Sequence, residues 1–274
     1  THRSVGLALG GGGALGWAHL PVIEALNDRG VPIDYVSGTS FGAVVAAFYC
    51  ARPVGGLGQL KAKSDRLFRL AVKSVFSSRA LGDFIDDELG ALGLDELPIT
   101  FFPVSTSALD LSPALPTHCS LSLAVRASGA LPPVFSPISW REPGGEITRL
   151  LDGAFVANVP AELLRNAEVA LIISSDTIPS PSIQDPNRLR VGVVDRFLDV
   201  WRGSERAIHD LSSRSAHAGE VRFEASLPLI WAVNFRKRER IEETARQALL
   251  RSEFPQRASD AWHMLARGAL EERD

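Results

Sequence analysis

Ser40 stands in Gly38-Thr39-Ser40-Phe41-Gly42, a G-x-S-x-G match, and about thirty residues earlier runs Gly10-Gly11-Gly12-Gly13-Ala14-Leu15-Gly16. A serine in the first pattern sits on a sharp strand-to-helix turn where its neighbours must be small. Glycines in the second let backbone come close to a ligand, and their amides, with the following helix N-terminus, face a developing negative charge. A nucleophile beside an oxyanion cradle is what acyl transfer requires.

The elements around both segments are those that would position them. Val5 to Leu9 reads as a buried strand, and Trp17 to Asn27 has helical spacing through Leu20, Ile23, Glu24, Ala25 and Leu26. Tyr35-Val36-Ser37 ends a short strand, and Phe41 to Cys50 is an apolar run expected to be a buried helix. Both motifs are therefore strand-turn-helix units.

Further along, Gln59 to Ser77 reads as one basic helix, Thr100 to Ser107 as a strand and Ser120 to Ala127 as a helix with serine near its start. Gly144-Gly145 predicts a hairpin between Ile138–Trp140 and Ile147–Leu151, and Asp152-Gly153 closes its second strand. Pro160 suits the first turn of a helix, for which Asn158 is the expected cap, and Val169 to Ser174 is another buried strand. An exposed loop over 178–187, a mostly helical stretch from Val191 to Ala218, a strand from Val221 to Leu229 and two terminal helices around Pro255 complete the reading.

The chain of 274 residues can bury one large core, and a single domain over 1–274 is expected, with a motif-bearing part at about 5–176 and a helical part at about 190–274. A formal net charge of −3 gives no general pull toward nucleic acid. Cys50 and Cys119 form no disulfide framework and have no metal-ligand spacing, which favours a reducing compartment. No apolar run reaches the roughly 18 residues a membrane span needs. Thr1-His2-Arg3-Ser4 leads straight into the first strand, so a soluble, cytoplasmic protein is expected; a start at threonine is also compatible with a trimmed leader.

Charge is locally uneven. Lys61, Lys63, Arg66, Arg69, Lys73 and Arg79 face only Asp65, and the next stretch carries Asp83, Asp86, Asp87, Glu88, Asp95 and Glu96. One reading is two amphipathic helices pairing charges on a sheet. The other is a basic, apolar collar, Lys61 to Arg79, that meets anionic lipid headgroups at a membrane surface.

Rival chemistries use the same residues. Gly11, Gly13 and Gly16 satisfy G-x-G-x-x-G, but the acidic residue that a dinucleotide site carries after its second strand is replaced here by Gly38-Thr39-Ser40. A Ser-His-Asp hydrolase could order Ser40, Asp152 and then His209, His217 or His263. Against it, one strand and one helix before Ser40 are fewer than that fold places ahead of its nucleophile, and these histidines lie among helical, charged surroundings.

Three matching segments make a resemblance specific: Gly11-Gly12-Gly13-Ala14-Leu15-Gly16, Gly38-Thr39-Ser40-Phe41-Gly42 and Asp152-Gly153. The chain resembles the patatin-like phospholipases, serine acyl hydrolases with a Ser-Asp dyad. Trp17-Ala18-His19-Leu20, Ala127 to Phe135 and Asp152 to Pro160 extend the similarity, which covers about residues 5 to 176. The resemblance implies a three-layer α/β/α fold with a mixed, mainly parallel sheet. It also implies Ser40 as nucleophile, Asp152 as its base and Gly11, Gly12 and Gly13 as oxyanion donors, with Gly16, Gly38, Gly42 and Gly153 supporting the motifs. The substrate would be a lipid or other ester, and no cofactor or metal is implied. His19 is assigned no catalytic role. Leu15 departs from the family, which often has arginine or lysine there, so a cationic contact to a phosphate headgroup is not expected and a neutral lipid or simple ester becomes more plausible. A lipid-binding module of the same fold without turnover is the non-enzymatic alternative.

Overall fold

The computed structural model describes residues 3–73, 78–132, 134–142, 144–178, 220–225, 227 and 234–268. Its frame is one mixed sheet of eight strands. They are β1 (Val5–Leu9), β2 (Tyr35–Thr39), β3 (Thr100–Ser107), β4 (Pro113–Ala114), β5 (Ile138–Arg141), β6 (Ile147–Asp152), β7 (Leu171–Asp176) and β8 (Glu220–Glu224). The order across the sheet is β5-β6-β3-β2-β1-β7-β8, with β4 paired to β3. Strands β3, β2, β1, β7 and β8 run parallel. Strands β4, β5 and β6 are antiparallel additions around β3.

The chain leaves β1 for β2 on one side, while β7 comes back to pair with β1 on the other. Such a reversal opens a crevice at the carboxyl ends of the strands, where α/β sheets bind ligands. The glycine loop follows β1 and Ser40 follows β2, so both motifs arrive at that crevice.

Helices cover both faces. On one face pack α1 (His19–Asn27), α2 (Phe41–Ala51), α8 (Arg238–Arg251) and α9 (Phe254–Ala266), forming the main core with Leu7, Leu9, Val36 and Ile173. The other face of β1, Ala8, packs with Ile172, Val169 and Leu164 beneath α7 (Ala161–Asn166). Alternation along the strands explains the division, because successive side chains point to opposite faces. Between them lie α3 (Gly56–Ala62), α4 (Ser64–Lys73), α5 (Arg79–Leu89) and α6 (Leu121–Ser128). Ser120 caps α6 by accepting the Leu123 N–H at 3.2 Å.

The expected single helix over 59–77 is two. Lys63 leaves helical geometry at φ −100° and ψ 7°, and the chain turns there between α3 and α4. The first helix also starts earlier, at Gly56, whose missing side chain lets it lie against the Phe48 carbonyl. The exposed loop (but for Ile178), the helical stretch at 191–218, and the ends of the basic helix and the late strand fall outside the described residues.

Candidate active site

Ser40 occupies a left-handed, non-glycine conformation, φ 53° and ψ −122°, at the junction of β2 and α2. Such a conformation costs about 1–3 kcal/mol and persists only where surrounding contacts impose it. Those contacts are visible. The Ser40 N–H donates to Ser128 Oγ at 3.0 Å, and its carbonyl accepts the Ala43 and Val44 amides. Just before it, Thr39 Oγ1 donates to the Ala157 carbonyl at 2.8 Å and Ser37 Oγ to the Pro160 carbonyl at 2.9 Å. Gly42 allows the closest approach: a Cβ there would come within 2.5 Å of the Leu9 and Gly10 carbonyl oxygens. Gly38 likewise faces the Gly42 carbonyl and Ala43 Cα, so the motif glycines let the first turn of α2 lie on the end of β1.

The glycine loop is held from four sides. Gly10 N–H donates to the Ser175 carbonyl and the Gly10 carbonyl accepts from His19 Nε2 at 2.8 Å. The Gly11 N–H is shared between the Asn158 carbonyl and Asn158 Oδ1, each at 3.1 Å, and the Gly11 carbonyl accepts from Thr177 Oγ1. The loop then turns sharply at Gly12, φ 144°, and Gly13, φ 56°, into a 3-10 segment, Gly13–Ala18, that leads into α1. Only glycine adopts this backbone readily. The Gly12 and Gly13 amides have no partner among the described residues. Gly13 and Ser40 are both partly open to solvent.

This corrects two expectations. Gly11 is an anchor of the loop rather than a free oxyanion donor, because Asn158 takes its N–H. Asn158 in turn caps no helix: α7 begins at Ala161 without a side-chain cap. His19 has a defined place as well. Nε2 donates to a carbonyl, which fixes the neutral tautomer and leaves Nδ1 to accept from Ser175 Oγ at 2.9 Å. Burial holds its pKa down at about 4. It braces the loop from behind, and its ring nitrogens are both occupied. Gly16 lies under the Phe41 ring, which a side chain would displace, and Trp17 meets that ring edge-on at 5.1 Å.

Asp152 ends β6 opposite Ser105 of β3. Its N–H donates to the Ala130 carbonyl at 2.9 Å, and Oδ1 accepts the Ala154 N–H at 2.9 Å. Gly153 packs directly on the Val104 carbonyl, so the turn admits no side chain there. The carboxyl is fully buried. Burial raises its pKa to about 7, against the opposing pull of the Ala154 N–H and the Ser40 hydroxyl. Ser40 is thus near enough to influence the carboxyl, while Asp152 Oδ2 has no hydrogen bond. Loose contact of this kind is common before substrate tightens a site. Chemically, a carboxyl poised near neutrality lies near a strained serine next to Gly11 of the glycine loop, whose following two amides are unpaired among the described residues.

Other predicted residues lie apart. His263 is exposed on α9, and His209 and His217 are outside the described residues. Leu15 is fully buried in the main core, so this position serves packing. In the basic stretch, Lys61 pairs with Glu24 and Glu242, Lys63 with Glu88, and Arg66 with Asp87 and Glu88 while stacking over Phe84. Lys63 and Arg66 thus pair with the acidic stretch, and Lys61 with α1 and α8.

A family model for patatin-like phospholipase matches residues 7–165, spanning the loop, the elbow and Asp152. The chain belongs to this family. Among curated patatin-domain relatives, neuropathy target esterase sws of Drosophila melanogaster is 33% identical over 192 residues, covering 64% of this chain and 13% of that protein. Patatin-like phospholipase domain-containing protein ZK370.4 of Caenorhabditis elegans is 31% identical over 218 residues, covering 73% of this chain and 15% of that protein. The chain therefore spans only about a seventh of the length of these relatives. In fold it is similar to the crystal structure of VipD from Legionella pneumophila, with TM-score 0.50 and 16% identity over 95% of this chain and 67% of that one. The patatin-like core thus carries the crevice, and the residues that brace it, Ser128, Asn158 and His19, are polar side chains set in otherwise small or apolar runs. That contrast is the signal by which sequence could have found them.

Proposed function

We propose that this chain is a serine acyl hydrolase that cleaves fatty acyl esters of lipids through Ser40 and Asp152. The observation that carries the reading is a fully buried Asp152 with a pKa raised to about 7, near a strained Ser40 next to the glycine loop, whose Gly12 and Gly13 amides are unpaired among the described residues. Ser40 Oγ attacks the ester carbonyl as the Asp152 carboxylate takes its proton. The Gly12 and Gly13 N–H groups hold the oxyanion, and Gly11, tied to Asn158, sets their direction. The alcohol leaves with the proton from Asp152, giving an acyl-Ser40 ester. Water, deprotonated by Asp152, then releases the fatty acid and restores the Ser40 hydroxyl. Every proton taken by Asp152 is returned, so no external acid or cofactor enters the cycle.

The domain reading is one unit over 1–274, supported by α8 and α9, which pack on the 3-10 segment and α1 next to the site. Family membership supports a lipid ester as substrate, and the burial of Leu15 removes a motive for reading the loop as altered toward binding without turnover. Membrane contact through Lys61 to Arg79 is weakened by its ion pairs. Among the described residues no helix is long and apolar enough to cross a membrane.

The test is labelling by a fluorophosphonate probe, with hydrolysis of p-nitrophenyl butyrate and of phosphatidylcholine vesicles, in wild type, Ser40→Ala and Asp152→Asn. Labelling and fatty acid release in wild type alone support the reading. Equal labelling and equal turnover in all three would end it, and vesicle binding with no release from any ester would leave a binding module.

A further inference from the structure

The antiparallel part of the sheet ends in an apolar tip. Of the six large apolar side chains exposed among the described residues, three gather there: Leu109 at 91%, Leu111 at 60% and Ile147 at 60%. The others, Val54, Leu250 and Met264, lie on the α2–α3 turn and on α8 and α9. Register brings the three together. Ser107 pairs with Leu150, and beyond that pair the Ala108 N–H donates to the Arg149 carbonyl at 2.8 Å, so Leu109 comes alongside the start of β6, where Ile147 stands.

The turn that carries the leucines is closed by its own hydrogen bonds. The Ser107 N–H donates to the Ser112 carbonyl at 2.9 Å and the Leu111 N–H to the Ser107 carbonyl at 3.0 Å, while the Asp110 carboxylate accepts from the Ser112 N–H and hydroxyl. Leu111 sits at φ 57°, a left-handed conformation that is rare for a bulky residue. Neither burial nor backbone preference accounts for a leucine there. The tip also overhangs the crevice. Strand β3 continues past Val104, its last pair with β2, on the carboxyl side of the sheet where the glycine loop and Ser40 lie. Ser105 pairs with Asp152, and at about 3.3 Å per residue Leu109 lies about 13 Å and Ile147 about 17 Å along the strands from that level.

We propose that Leu109, Leu111 and Ile147 form an insertion tip that seats the crevice on a lipid surface by apolar burial rather than by charge. The inference rests on a lipid ester being the substrate. Area and charge select this occupant. Three side chains offer on the order of a few hundred Å², the size of a functional patch on a monomer and well below the roughly 1,200–2,000 Å² of a stable protein interface. Around them Arg141 and Arg149 are offset by Asp110, Glu142 and Glu146, so the tip has no excess of positive charge with which to select anionic headgroups. Sunk by about 5–10 Å, as interfacial apolar faces are, the tip brings the crevice to within about 10 Å of the boundary between headgroups and acyl chains, where the ester groups lie.

The triple variant Leu109→Ser, Leu111→Asn and Ile147→Thr tests this, asparagine being suited to φ 57° and threonine to a strand. Flotation with phosphatidylcholine vesicles, fatty acid release from them and hydrolysis of p-nitrophenyl butyrate are measured beside wild type. Vesicle binding, and vesicle turnover at limiting lipid, should fall about 100-fold while p-nitrophenyl butyrate turnover stays within about twofold. Wild-type binding should hold from about 0.1 M to about 1 M salt, which would screen a contact made by charge. If the triple variant does not fold, Leu109→Ser alone, at the most exposed of the three positions, decides in the same direction with a loss of about tenfold. A wild type that does not float, a variant that binds and turns over vesicles like wild type, or an equal loss on both esters overturns the proposal. So does a wild-type dimer that the variant makes monomeric in sedimentation, which would make the tip a contact between copies. A wild type that floats through the tip yet hydrolyses neither ester defeats the acyl hydrolase reading and upholds the tip; one that hydrolyses p-nitrophenyl butyrate, with vesicle turnover unmoved by the variant, defeats only the tip.

Discussion

Asp152→Asn should abolish turnover and make the protein more stable. In the folded chain burial raises the Asp152 pKa from an ordinary 3.8 to about 7. Folding thus favours the neutral carboxyl. Its stabilising contribution is complete below about pH 4, is lost as pH rises toward 7, and stays lost above. At about 1.4 kcal/mol per pH unit, ionisation costs the native state about 4 kcal/mol at pH 8 and less than about 1 kcal/mol at pH 4. Asparagine keeps an oxygen for the Ala154 N–H and never ionises. For a chain of this size roughly 2 °C of Tm corresponds to 1 kcal/mol, so Asp152→Asn should melt about 8 °C above wild type at pH 8 and within about 2 °C at pH 4. Thermal melts of both proteins from pH 4 to 9 provide the measurement, with Ser40→Ala as a control that keeps the carboxyl. Parallel Tm curves for wild type and Asp152→Asn would refute the claim that a buried, reluctantly ionised carboxylate sits at this site.

Other expectations follow from the same contacts. The kcat/KM of wild type should fall on the acid side with a midpoint near pH 7, because the base must be ionised; a midpoint at the ordinary 3.8 would remove Asp152 from that role. Gly42→Ala drives a Cβ onto two backbone carbonyls and should cost about 3 kcal/mol in denaturant titrations and abolish probe labelling. Asn158→Leu removes the side-chain acceptor of the Gly11 N–H, leaving only the backbone carbonyl of residue 158, and loosens the aim of its neighbours, lowering kcat by about 10- to 100-fold with KM nearly constant; an equal rise in KM would place Asn158 in substrate binding instead. Arg66→Glu sets a third carboxylate beside Asp87 and Glu88, so Tm should drop at low salt and recover with salt, while binding to anionic vesicles stays at the wild-type level.

What could be read from sequence is what depends on near neighbours. The apolar runs of β1 and β3, the hairpin of β5 and β6 around Gly144-Gly145, and the elbow at Ser40 all follow from side-chain alternation and turn chemistry over a few residues. The two glycine segments and Asp152-Gly153 marked the proposed reactive groups because close backbone approach excludes other residue types at their glycines. Which groups are free to react was decided by contacts between distant parts of the chain. Gly11 and Gly12 look alike in sequence, yet Asn158, from 147 residues away, takes the amide of the first and leaves the second. Asp152 and Asp110 are both turn-forming carboxylates by type, but burial raises the pKa of the first, while serine hydroxyls on an exposed loop lower that of the second. The basic helix looked like a surface for lipid until α5, α1 and α8 supplied its counter-charges. Hydrogen-bond partners and dielectric surroundings are properties of neighbours in space, and folding alone assigns those.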